Sequence, residues 1–131
     1  MRAIVVDDNQ ILCETLTCFL EAEGFCVRGF LDPHAALAYC AVHDVDVMIV
    51  DVRMPTMDGL DFVARVKRRQ QWVRVVVVTG NFLDAMRVAR AVARHRVDGA
   101  LEKPFDLASL VDSIFRSFPS KEEKAFVAPV G

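Results

Sequence analysis

Five side chains able to do chemistry stand at the ends of short apolar runs: Asp7 and Asp8 after AIVV, Asp51 after VDVMIV, Thr79 after VRVVVV, and Lys103 close behind GAL. Three carboxylates brought together repel one another and raise at least one pKa unless a cation sits among them. A hard divalent ion meets that need. Mg2+ takes oxygen ligands in an octahedron, usually one or two carboxylates with waters and a phosphate, and no His and Cys set of the kind zinc favours accompanies these residues. Lys103 would add a fixed positive charge and Thr79 a hydroxyl donor. Mg2+, an ammonium and a hydroxyl around a carboxylate suit the equatorial oxygens of a phosphoryl group in transfer. The nucleophile would then be a carboxylate, and the product an aspartyl phosphate.

Asp51 closes the apolar stretch MIVD, and burying an unpaired carboxylate there is costly unless something compensates its charge. The loop that follows, VRMPTMDG, carries Pro55 and Gly59, which suit a rigid connection ahead of a helix. Asp7 and Asp8 are adjacent on one loop and better placed to share a metal. Asp51 is therefore the expected nucleophile, and Asp7 and Asp8 are the expected Mg2+ ligands. Taken singly, Asp7, Asp8, Asp51 and Lys103 are as readily helix caps or halves of surface ion pairs. Thr79 alone is as readily a strand-end hydroxyl bonded to the backbone. Only an architecture that gathers all five makes them a site.

The pattern along the chain predicts that architecture. Five apolar runs, at 3–6, 25–30, 45–50, 73–78 and 99–101, alternate with longer amphipathic segments. The third and fourth are nearly continuous in Val, Ile and Met, as strands covered on both faces require, which argues for a parallel sheet between layers of helices. Asp32 followed by Pro33 opens a helix to about residue 43, and Asp58 caps another to about residue 70, with Leu60, Phe62, Val63 and Val66 on its apolar side. Phe82, Ala85, Met86, Ala89, Val92 and Ala93 fall on one face of a helix over 82–95, and Arg87, Arg90 and Arg94 point elsewhere. Asp106 caps a last helix whose stripe is Leu107, Leu110, Val111, Ile114 and Phe115. In open parallel sheets, ligands bind outside the carboxyl ends of the strands, which is where the five chemical residues would meet.

The remaining signals narrow the class. A chain of 131 residues fits one domain, and 26% charged residues with a net charge of -2 suggest neither disorder nor a general attraction to nucleic acid. Cys13, Cys18, Cys26 and Cys40 form no CxxC pair, and three of them lie in or beside apolar segments as buried free thiols do. No apolar stretch approaches the ~20 residues of a membrane span, so a soluble, cytoplasmic protein is expected. The domain is expected over 1–118, with 119–131 a tail or the start of a linker: SKEE reads as a capping box and AFVAPVG as linker. His34, His43 and His95 are expected in plain surface roles, and Trp72 in packing. From Arg65 to Arg96 nine Lys and Arg face one acid, Asp84. Such a run is most often a solvated face, with a docking surface for an acidic partner or a second protomer along Arg87, Arg90, Arg94 and Arg96 as the functional reading. No recognition helix appears, so direct DNA binding by this domain is not expected.

VVDDN, then IVDVRMPTMDG, then VVVVTG, then LEKPF, in this order and spacing, resembles the receiver domain of two-component response regulators over residues 2 to about 118. The resemblance implies a flavodoxin-like, doubly wound (βα)5 three-layer sandwich with strand order 2-1-3-4-5. It implies phosphoryl transfer to Asp51 from a histidine kinase or histidine phosphotransfer protein, in a signalling domain rather than an enzyme. Mg2+ would be bound by Asp8 directly, by Asp7 through water, by Asp51 and by the backbone carbonyl of Arg53, while Thr79 and Lys103 would contact the phosphate. The switch would run through Thr79. The family's usual Tyr or Phe three residues before the lysine is absent, since Ala100 stands there. Arg53 and Asn81 occupy positions resembling the family's tuners of phosphate lifetime, and a long Arg side chain there would shield the phosphate from water. By analogy the output is transcription through a C-terminal effector, with a homodimer through the face of the fourth and fifth helices also open. Two other readings compete. Loss of the aromatic at Ala100 is the support for a phosphorylation-independent pseudo-receiver. A Mg2+-dependent phosphatase of the haloacid dehalogenase type needs a second acid where Arg53 stands.

Overall fold

A computed structural model describes residues 1–116, with side chains described as far as Ile114. The expected boundary near Phe118 and the capping box and linker of the tail lie outside the described residues. In chain order the elements are β1 (Arg2–Val6), α1 (Gln10–Ala22), β2 (Cys26–Phe30), α2 (Pro33–Cys40), β3 (Val47–Asp51), α3 (Gly59–Lys67), β4 (Arg74–Thr79), a 3-10 turn (Phe82–Asp84), α4 (Ala85–Ala93), β5 (Gly99–Glu102) and α5 (Leu107–Arg116). The strands form one sheet in the order β2-β1-β3-β4-β5, and every neighbouring pair is parallel. This is the flavodoxin-like arrangement that the resemblance implies.

Alternation along each strand divides the core in two. Ile4, Val6, Met48, Val50, Val75 and Val77 face α2, α3 and α4 through Ala36, Phe62, Val63 and Val88. Their neighbours Ala3, Val5, Val47, Ile49, Val76 and Val78 face α1 and α5 through Leu16, Leu20, Leu110 and Ile114. All five residues of β3 are buried, as the continuous apolar run predicts for a central strand. The caps at Asp32, Asp58 and Asp106 form as expected, accepting from His34, Leu60 and Ser109 respectively at 2.9, 2.9 and 2.7 Å. Asn9 adds another, accepting from Leu12 at 3.1 Å to start α1.

Several expectations change. Helices α2 and α3 end three residues early, at Cys40 and Lys67, and a side chain joins the two ends. Gln70 donates Nε2 to the carbonyls of Cys40 and His43, both at 2.8 Å, and accepts from Val45 at 2.9 Å. The apolar face read on 82–95 does not point inward: Phe82 is 77% exposed and Met86 66%, while Val88 and the half-buried Ala91 hold the helix against the core. Period finds an apolar stripe but not the side on which the sheet lies. In α5, Leu110 and Ile114 are buried and Val111 is half-buried, but Leu107 is 37% exposed, and the side chain of Phe115 lies outside the described residues. Only Cys13 and Cys40 are buried among four free thiols. Trp72 is 84% exposed rather than packed, because the next residue, Val73, takes the inward position. His43 is half-buried and stacks on Tyr39, with ring centroids 4.1 Å apart.

Two helix ends share one geometry with different residues. Phe25 donates back to Leu20 at 3.0 Å around Gly24 at φ 96°, and Arg96 donates back to Ala91 at 2.9 Å around His95 at φ 58°. A left-handed residue closes each helix, at no steric cost for glycine and at a real one for a residue with a Cβ. Gly24→Ala should therefore lower stability by about 1 kcal/mol, and His95→Gly should raise it by up to about 1 kcal/mol, both read from urea denaturation midpoints.

Candidate functional site

The carboxyl edge of the sheet collects the five residues. Asp51 and Thr79 are the last residues of β3 and β4, Asp7 and Asp8 follow β1, and Lys103 follows β5. Backbone bonds hold the loops in register: Asp7 donates to Phe30 at 3.0 Å, Val52 to Val78 at 2.9 Å and Lys103 to Thr79 at 2.8 Å. Asp7, Asp51 and Thr79 are buried, Lys103 is half-buried and Asp8 is exposed. The Lys103–Pro104 peptide bond is cis.

The charges are balanced from one side. Lys103 Nζ lies 3.5 Å from a carboxylate oxygen of Asp7 and 3.5 Å from one of Asp51. Asp7 spends its other oxygen on the backbone N–H of Asn9 at 2.9 Å. One ligand oxygen from each of Asp7, Asp8 and Asp51 lies within 4.8 Å of the others, and among the described residues this is the one such group of His, Cys, Asp or Glu. Oxygen-only donors, two of them buried, fit Mg2+ and not zinc. Burial and then the charge of Asp7 push the Asp51 carboxyl up from 3.8 to about 6, against the opposing pull of Lys103.

The loop after Asp51 is held by close packing. Gly59 donates to Val52 at 2.7 Å, and a Cβ on it would collide with the Asp51 carbonyl and stand 2.8 Å from the Cα of Val52. The glycine is required by this approach of α3 to the end of β3, not by its own φ.

Other expected residues are arranged differently. The Thr79 hydroxyl donates to the Asn81 carbonyl at 3.2 Å and accepts from the Asn81 N–H at 3.1 Å, so it is engaged within its own loop. Asn81 caps the 3-10 turn through Leu83 at 2.9 Å. Ala100 lies exposed on β5. Arg53 places its guanidinium on Asp84, at 2.8 Å from Nε and 3.3 Å from an η nitrogen. Arg87 bridges Asp84 at 3.4 Å and Asp58 at 2.8 Å. The Arg53 and Arg87 guanidiniums hold the Asp84 carboxyl below the usual range. Sequence reasoning missed this network, although a single acid inside a run of nine bases marked Asp84. Arg87, Arg90, Arg94 and Arg96 do share a groove between α3 and α4, over Leu60, Val63 and Val97.

The chain belongs to the family of response regulator receiver domains, whose model matches residues 3–115. It is 31% identical over 115 residues to the transcriptional regulatory protein FixJ of Bradyrhizobium diazoefficiens, covering 86% of this chain and 55% of that protein. The chain spans about half the length of the curated relatives it matches. Among solved structures, the chemotaxis protein CheY4 of Vibrio cholerae is 27% identical with a TM-score of 0.79, over 89% of this chain and 98% of that one. The response regulator TrrA of Thermotoga maritima, solved in complex with Mg2+ and BeF, shares the fold at 20% identity and a TM-score of 0.77, over 89% of this chain and 98% of that one.

The raised Asp51 carboxyl has a thermodynamic sign. Below 3.8 both folded and unfolded chains hold its proton, and well above about 6 neither does. Between these values the folded chain binds the extra proton, so stability falls as pH rises through the window. With EDTA present, Asp51→Asn should remove that fall and be about 1–3 kcal/mol more stable than the parent at pH 7, measured by urea unfolding across pH 4–8.

Proposed function

We propose that this chain is a phosphorylatable switch that takes a phosphoryl group from the phosphohistidine of a histidine kinase or phosphotransfer protein onto Asp51. The observation that carries this reading is the convergence of Asp51, Lys103 and the Asp7 and Asp8 pair on one edge of the sheet. An Asp51 oxygen attacks phosphorus, the bond to the donor imidazole breaks, and its electron pair leaves with the ring. Lys103, already beside both buried carboxylates, favours the ionised form of Asp51 and is placed to meet a phosphoryl oxygen. Asp7, Asp8, Asp51 and the Arg53 carbonyl would hold Mg2+, which when bound supplies charge neutralisation among the carboxylates and on the transferring group.

The Thr79 hydroxyl is the candidate first responder. Turning it toward a phosphoryl group gives up its two contacts with Asn81 and draws on the turn that begins α4. Phe82, Met86 and Val92, exposed along that segment, support its reading as the face that meets an output partner or a second copy. Relatives such as FixJ are named as transcriptional regulators and are longer than this match, which supports an effector domain acting on transcription as the output. No helix among the described residues is long and apolar enough to cross a membrane. The intact acidic and lysine set counts against a pseudo-receiver. Arg53, turned onto Asp84, offers no acid to a phosphatase.

Incubation with Mg2+ and acetyl phosphate should add one phosphoryl group by intact mass, and EDTA, Asp51→Asn or Lys103→Ala should abolish the adduct or reduce it at least tenfold, a ratio of about 1.4 kcal/mol. An adduct that survives in Asp51→Asn would sink the assignment. Hydrolysis of many phosphate esters per chain would favour the phosphatase.

A further inference from the structure

Asp84, the single acid of the basic stretch, is 2% exposed at the head of α4. An ionised carboxylate so buried needs close partners, and its main one comes from the loop after Asp51. Arg53 donates Nε at 2.8 Å and an η nitrogen at 3.3 Å. The other partner, Arg87, is weaker at 3.4 Å and is already held by Asp58, the cap of α3, at 2.8 Å. The Arg53 side chain is itself 60% exposed, and its recorded guanidinium hydrogen bonds among the described residues are those to Asp84.

We propose that Asp84 is a positioning residue for Arg53: it keeps the guanidinium on α4 while Asp51 is unmodified and yields it to the phosphoryl group afterwards, loosening the head of α4 in step with phosphorylation. This rests on the reading of Asp51 as acceptor. A phosphoryl group brings about two negative charges and three acceptor oxygens within two residues of Arg53, and the guanidinium fork matches it as well as it matches a carboxylate. Once Arg53 leaves, Asp84 keeps only the shared contact with Arg87. It must then draw Arg87 from Asp58 or admit water by opening the turn over Phe82–Asp84. Either change falls where the Thr79 and Asn81 contacts also lead, and neither needs an aromatic side chain at Ala100.

Hydrogen exchange of the full chain in Mg2+, with and without acetyl phosphate, tests the exchange of partners. Phosphorylation should speed the amides of 82–88 about tenfold in the parent. In Arg53→Ala they should be fast beforehand and gain less than about twofold on phosphorylation, with Arg53→Lys intermediate. In Asp84→Asn the phosphoryl group should persist several-fold longer after donor removal, because Arg53 is free to stay over it, and adding Arg53→Ala should cancel that gain. A phosphorylated parent with unchanged exchange in 82–88, or an Arg53→Ala that responds like the parent, overturns the proposal while leaving the acceptor reading intact. These arms decide the matter even if Asp84→Asn does not fold. A chain that gains no phosphoryl group by intact mass overturns both.

Discussion

The charge of Asp51 at the end of a wholly buried strand is the constraint on which the rest of this structure depends. A carboxylate there is costly, and the fold answers with a single ammonium 3.5 Å away that also serves Asp7. One ammonium is shared by two buried acids, with Asp8 beside them, and burial first and the charge of Asp7 second raise the Asp51 carboxyl to about 6. The strand order, the loop register and the glycine that lets α3 approach the end of β3 all position this imbalance.

A second charge arrangement lies just outside the first. Asp84 is buried without a lysine or metal cluster of its own, and its compensation is borrowed from Arg53, whose backbone belongs to the Asp51 loop. The two buried acids are therefore linked through one residue, whose backbone lies in the Asp51 loop and whose guanidinium is bound to Asp84. The Arg53 side chain is 60% exposed, so its guanidinium can change partners without opening a buried site. Ala100 is exposed and small, so β5 offers no aromatic ring at that position to link site and surface.

Much of this was legible in the residues. The continuous Val, Ile and Met of β3 and β4 announced central parallel strands, and Asp32, Asp58 and Asp106 announced helix starts, because strand burial and capping are set by near neighbours. The five site residues were legible for a related reason: each sits at the end of an apolar run, and parallel topology sends all such ends to one edge. The orientation of α4 was not, since the Phe82 and Met86 stripe is as periodic as a buried one. Nor was the joining of α2 to α3 through Gln70, a contact between residues thirty apart.

By itself, then, the sequence determined the alternation of strands and helices, the caps, and the set of acids, hydroxyl and ammonium that the strand ends carry. These are local properties, written in period and in the residue at each boundary. Tertiary structure alone decided which face of α4 turns inward, which cation each buried acid receives, and that the Arg53 guanidinium lies on Asp84 rather than over Asp51. Such pairings join elements distant in sequence, and a charge finds its partner only after the sheet has brought the loops together.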